Sequence, residues 1–403
     1  MTESAASSPP TRTEYLILLA IIITMTVNQT AIVIISPLAV AIADDFDVSV
    51  SLSGQLRTVS ALISALLAPF VGLMSDRLGR RPIMLLGLLS IFAFGLASTV
   101  APTFALLMAA QSIAGFGIAS LLSSGYAVVA DTFPPERRAW AVGIISIGQP
   151  MAWVIGLPLI GLVADTFGWR WSFIAVPVLF SILGFFFLRF IPASGGVGTA
   201  EKPLSSLGVI LRARSPRSWI LAELTAYSGW AGTLVFLGAY YISEHGRSTA
   251  LTGILLSLTA VAFVAGSLLS SRVVNRFGIK PAIYGGATAS AIALIVTLTV
   301  MPGVWVSLVL LMAFGMMQGI RGAAASVLGL MQSPEHQGAM MGFRASVVQM
   351  GYVLGGLVGG GLLAIGGYAL LGTMFGLLIV VASVYMAARV DTDSQSRANE
   401  KPG

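Results

Sequence analysis

The 403-residue chain has no cysteine, only two histidines, and just 9% charged residues. The first absence excludes disulfides, thiol catalysis and thiolate metal sites. The second leaves His245 and His336 between apolar runs, without partners at ligand spacing, so no metal and no other cofactor is expected. Walker-type phosphate loops are missing too, which excludes drive by bound ATP. A soluble domain carries about 25% charge, whereas here apolar residues reach 56% and the mean hydropathy is +0.92. The net charge of +6 invites a nucleic-acid partner, but the basic residues are scattered in short segments between apolar runs. The composition is that of a polytopic membrane protein whose surrounding partner is the lipid bilayer. A membrane-embedded hydrolase would need an activated nucleophile and a base, and no predicted span holds a histidine. No charged ring or filter motif points to a channel.

About 20 apolar residues cross a bilayer as a helix, and twelve stretches qualify. The first six lie near 15–40, 51–74, 82–100, 103–130, 139–163 and 170–190. The other six lie near 218–242, 251–274, 281–301, 304–331, 339–365 and 368–389. The run from Tyr15 to Ala43 is too long for a secretory signal and reads as a first span. This divides the chain into a tail (1–14), a six-helix bundle (15–191), a polar linker (192–217), a second bundle (218–390) and a tail (391–403), the tails reading as disordered. Of the 22 lysines and arginines, seventeen fall on the side of the N-terminus, and only Arg170 and Arg247 on the other. Both termini and the linker are therefore expected in the cytoplasm.

The two bundles are copies. An offset of 199 carries Asp76, Gly79, Pro82 and Gly87 onto Asn275, Gly278, Pro281 and Gly286. The same offset carries Pro135-Glu136 onto Pro334-Glu335, and Gly143, Gly156 and Gly161 onto Gly342, Gly355 and Gly360. The first copy holds a charged turn in which Gly72, Asp76, Arg77, Gly79, Arg80 and Arg81 follow the pattern G-x-x-x-D-R-x-G-R-[RK]. This resembles the cytoplasmic signature loop of the major facilitator superfamily. The resemblance implies an all-α membrane protein of twelve transmembrane helices in two pseudo-symmetric six-helix bundles, functional as a monomer. It also implies a solute site near mid-membrane, lined by spans 1, 4, 7 and 10, around which the halves rock.

In that family the loop aspartate sits near the start of span 11 and its second arginine pairs with an acid at the end of span 4. Asp76, Arg80 and Asp131 hold those positions here, which makes them a conformational latch; the alternative is that the charges only enforce topology. The second copy has Asn275 and Ile279 instead, so the latch is one-sided. The motif Gly156-Leu157-Pro158-Leu159-Ile160-Gly161 resembles the family's antiporter motif at Pro158 and Gly161, while small residues four apart also serve helix packing.

Charges inside spans are costly, about 2.5–3.5 kcal/mol for a central arginine. Arg321 lies deepest and should face a cavity, a carboxylate or an anionic ligand; Arg57 and Arg344 are close enough to span ends to snorkel. Glu223 is the one carboxylate well inside a predicted span. It shares a helix face with Tyr227 and Trp230 and reads either as a proton carrier or as a static partner of Arg344 or Arg321. If Arg344 takes it, Arg321 is left to hold an anion. Asn28, Gln29, Gln111, Gln149, Trp153, Gln318, Gln349 and Tyr352 complete the candidate substrate-binding set. Several drug exporters of the family carry an acid in span 1 and an arginine in span 4, where this chain has Asn28 and Gln111. The expected function is proton-coupled efflux of a small organic molecule across a bacterial inner membrane. Uptake or exchange of an organic anion on Arg321 is the alternative, and a non-transporting receptor or scaffold is the reading from another class.

Overall fold

The computed structural model describes residues 11–193, 212–332 and 337–390, with backbone only at 135, 136, 139, 337–339 and 341–343. Most of the expected linker, most of the first tail, all of the second tail, Pro334-Glu335 and His336 lie outside these residues. Among the described residues every regular element is helical, and eleven helices are long and apolar enough to cross a membrane. The first begins earlier than its hydropathy suggests. Thr11 Oγ1 accepts from the Glu14 amide at 3.2 Å, while the Glu14 carboxylate accepts from the Thr11 amide at 2.7 Å. This reciprocal cap starts α1 (Arg12–Val33) inside the stretch expected to be a tail.

The first copy continues through α2 (Ile35–Asp45), α3 (Val50–Leu78), α4 (Arg80–Val100) and α5 (Phe104–Thr132). The fifth expected span is not one helix. It runs as α6 (Pro135–Ile145), α7 (Gly148–Met151), a π-helical turn (Ala152–Gly156) and α8 (Leu157–Phe167). Pro150 and Pro158 supply the reason, because each lacks the amide that an α-helix needs from its interior residues. The sixth span likewise carries a π turn (Ile174–Val178), containing Pro177, between α9 (Trp169–Phe173) and α10 (Leu179–Leu188).

The second copy consists of α11 (Arg214–Ser243), α12 (Thr249–Phe277), α13 (Ile279–Val300), α14 (Val304–Met331) and α15 (Gln337–Arg389). At 1.5 Å per residue the 53 residues of α15 would reach roughly 80 Å, far beyond a hydrocarbon core of about 30 Å. Its backbone leaves helical geometry at Gly366 (φ −139°) and Gly367 (φ 63°). Gly168, 199 positions earlier, has φ 93° and separates α8 from α9. Gly79 and Gly278, at φ 92° and 91°, form a second such pair. Left-handed backbone strains any residue with a Cβ, so the repeat places glycine where the chain must turn in both copies.

The residues group into two compact units. One draws on Met1–Thr199 and Arg247–Ser257, the other on Ala200–Gly246 and Leu258–Gly403. In the first unit the Asp165 carboxylate caps α12, accepting from the Thr249 and Ala250 amides at 3.0 and 2.9 Å. Gly161, singled out above, sits at this contact: a Cβ there would lie 2.3 Å from the Thr249 carbonyl oxygen. In the second unit α11 packs along α15, and α13 packs along both α14 and α15.

Candidate functional site

The charged turn after α3 closes on itself. Gly79 reverses the chain, and Arg80 then reaches back with only 9% of its surface exposed. Its Nε donates to Asp131 Oδ2 at 2.8 Å, and its Nη1 donates to Asp76 and, at 3.2 Å, to Ser75 Oγ. Ser75 Oγ lies 3.1 Å from Ser124 Oγ, so one guanidinium ties together α3, α4 and α5. Arg77 is exposed, Arg81 half-buried, and Gly72 has open space beside it. The start of span 11, expected near Asp76, is described by its backbone alone at 339 and 341–343.

A cavity of about 250 Å³ lies in the second unit, lined from α11 by Glu223, Tyr227 and Trp230. Phe263 and Ser267 of α12, Gln318, Arg321, Gly322 and Ala323 of α14, and Arg344 of α15 complete it. Glu223 and Arg321 are 1% and 2% exposed. Arg321 Nη1 donates to Glu223 Oε2 at 3.0 Å and its Nε to Gln318 Oε1 at 2.9 Å, while Gln318 Nε2 donates to Ser290 Oγ at 3.1 Å. Glu223 thus holds the deep arginine, and the pairing with Arg344 that would have freed Arg321 is not the one adopted. Glu223 Oε1 is buried with no hydrogen-bond partner among the described residues. Arg344 turns into the cavity instead of snorkelling, and no described carboxylate lies within ion-pair distance of it.

The apolar wall is aromatic. Trp230 stacks on Phe263 with ring centres 5.1 Å apart and planes 20° from parallel, and Phe314 packs against it at 5.1 Å. Tyr352 does not line the cavity but supports Tyr227, edge to face at 6.1 Å. Gln349 is buried, 3% exposed, also off the cavity wall. Phe263 and Ser267 were missed by the sequence reading, although a signal existed. Gly315 and Gly319 form a G-x-x-x-G step, and a Cβ on Gly319 would lie 2.1 Å from the Phe263 carbonyl oxygen. That close approach of α14 to α12 seats Phe263 against Trp230.

Candidates in the first unit serve separate contacts. Asn28 Nδ2 donates to the Ile118 carbonyl at 2.9 Å, and Gln149 Nε2 donates to Tyr126 Oη at 3.3 Å. Gln29 is buried and Trp153 half-buried. Gln111 is fully buried, and its amide atoms have no hydrogen-bond partner among the described residues. Arg57, expected to snorkel, is 1% exposed, with Nη1 donating to Ser60 Oγ at 3.1 Å.

Helices of membrane-spanning length in two repeated copies, one of them holding a cavity lined by charged and aromatic side chains, define a multi-pass membrane protein. The chain belongs to the Major Facilitator Superfamily, whose family model matches residues 18–221 and again residues 219–403. The "Uncharacterized MFS-type transporter YfhI" of Bacillus subtilis (strain 168) is 27% identical over 262 residues, 64% of this chain and 65% of the relative. The chain thus spans about two thirds of the length of several curated relatives it matches. A "Probable sugar efflux transporter" of Pasteurella multocida (strain Pm70) is 24% identical over 352 residues, 84% of this chain and 85% of the relative. The crystal structure of a D-xylose-proton symporter superposes with a TM-score of 0.77 at 17% identity, covering 94% of this chain and 98% of the other. At that identity the likeness shows the fold alone.

Proposed function

We propose that this protein is a proton-coupled secondary transporter that exports a small organic molecule across the bacterial inner membrane by alternating access. In this reading α15 is two spans joined at Gly366-Gly367, giving twelve helices in two six-helix bundles. Both termini are cytoplasmic, the monomer is the working unit, and the partners are the solute, protons and the lipid bilayer. The Asp76, Arg80 and Asp131 cluster latches the cytoplasmic side in one of the two states.

The observation that carries the reading is the Glu223–Arg321 pair at the cavity wall, with Glu223 Oε1 unpartnered among the described residues. A carboxylate in that position can take a proton at the cavity, and neutralising it releases its hold on Arg321. The proton then sets the charge of the wall that meets the solute, which is the condition for coupling one to the other. Holding an anion directly on Arg321 fits the geometry less well, because that guanidinium is already bonded to Glu223 and Gln318.

The test uses the full chain in proteoliposomes. With an imposed pH gradient, export of the solute should accelerate in the native protein. Glu223→Gln should lose that acceleration while keeping solute exchange at zero gradient. An unchanged response to the gradient in Glu223→Gln would remove the carboxylate from the coupling step.

A further inference from the structure

The cavity charges do not balance. Its wall carries two guanidinium groups against one carboxylate, a net charge of +1. Arg321 is engaged by Glu223 and Gln318. Arg344 forms no ion pair with any described residue, and its Nε is buried without a hydrogen-bond partner among them. A buried donor left unmade carries the full desolvation cost of that group. A planar guanidinium relieves this cost best by forking onto two oxygens of one carboxylate. Beside it, the stacked Trp230 and Phe263 rings offer a flat apolar wall. Ser267 adds no free donor, since its hydroxyl already donates to the Phe263 carbonyl at 3.0 Å.

We infer that the cavity binds an aromatic monocarboxylate, its carboxylate forked on Arg344 and its ring against Trp230 and Phe263. The inference rests on the transport reading above and names the class of its solute. Size sets one limit: about 250 Å³ falls just below the usual range of roughly 300–1,000 Å³ for ligand pockets, so the solute is a small one. Charge sets the other. A second cation beside an uncompensated guanidinium in a low-dielectric wall is repelled, while an anion is drawn in.

The experiment measures binding and exchange separately. Purified full-length protein is titrated with benzoate, cinnamate and indole-3-acetate, and with benzamide and benzylamine as neutral and cationic controls, following protection against thermal unfolding. At least one carboxylate should bind, and neither control should. Arg344→Gln should weaken that binding roughly 10- to 100-fold, the range expected for hydrogen bonds to a charged group. Arg344→Lys, which keeps the charge and loses the fork, should fall between. If Arg344→Gln fails to fold, Arg344→Lys together with the control ligands decides the matter. No binding by any of the three carboxylates, or equal binding of benzamide, overturns the inference. Labelled carboxylate is then offered to proteoliposomes: Arg344-dependent binding without exchange would sink the transport reading and leave the site standing. Gradient-driven transport of another solute with no carboxylate binding would do the reverse.

Discussion

Replacing Glu223 by glutamine removes a charge and almost no volume, so its effect reports electrostatics rather than packing. The native pair is 3.0 Å long between side chains 1% and 2% exposed. Deleting one partner of a buried pair costs about 3–5 kcal/mol, because the remaining ion is left uncompensated. Gln318 Oε1 still accepts from Arg321 Nε at 2.9 Å, which places the loss toward the lower end, about 3 kcal/mol. That is roughly two decades in the unfolding equilibrium. Adding Arg321→Met to Glu223→Gln removes the stranded charge and should restore most of the loss, since an apolar replacement of a whole buried pair is often neutral. Unfolding in mixed micelles with increasing dodecyl sulfate, followed by tryptophan fluorescence, measures all the variants. A Glu223→Gln protein within ~0.5 kcal/mol of native, the scatter of an ordinary surface change, refutes the reasoning. So does a double mutant that loses the sum of the two singles.

Two other changes probe the scaffold. Asp131→Asn removes one of the two carboxylates on Arg80 and should shift the distribution of spin-label distances across the face that carries the cluster without unfolding the protein; an unchanged distribution would make the cluster a topology signal only. Gly319→Val drives a side chain into the Phe263 carbonyl, where a Cβ would already lie at 2.1 Å, and should cost about 1–3 kcal/mol by overpacking. Gly285→Ala, with nothing within 4 Å of its Cβ, is the control, and equal melting temperatures for the two would contradict the close approach.

The fold was legible because membrane burial writes itself into composition. Charge at 9% and the 199-residue offset pointed to an all-helical membrane protein built from two copies, and the glycine pairs 79/278 and 168/367 turn the chain at matching places. The interruptions in the fifth and sixth spans were less legible, since Pro150, Pro158 and Pro177 lower helix continuity without changing hydropathy. The site was legible in part. Glu223, Tyr227, Trp230, Gln318 and Arg321 do share a wall, as depth and helical spacing suggested. Which arginine would take the single carboxylate was not readable. That choice depends on how α11, α14 and α15 are rotated about their axes, and spacing within each helix is silent on it. Gln111 and Arg57 show the same limit, because their depth was visible and their surroundings were not.

The repeat also shows where each copy keeps its charge. Asp76, Arg80 and Asp131 of the first copy correspond, 199 positions on, to Asn275, Ile279 and Leu330, none of which is ionisable. In the other direction Arg321 and Arg344 correspond to Leu122 and Ile145. An arginine near the centre of a span costs about 2.5–3.5 kcal/mol, so an identical set in both copies would double that expense. The second copy bears this cost at its cavity for Arg321, where Glu223 and Gln318 offset it, and on the proposed reading an anionic ligand compensates Arg344. The first copy carries its network at the turn between α3 and α4, where Asp76 and Asp131 are each about one third exposed and water shares the desolvation. On the proposed reading such a division separates the group that biases the conformational equilibrium from the groups that meet solute and proton. A ligand can shift a two-state equilibrium only by its differential affinity for the two states. On the proposed reading the cluster on Arg80 sets the resting balance, and differential binding of solute and proton at the cavity of the second copy moves it.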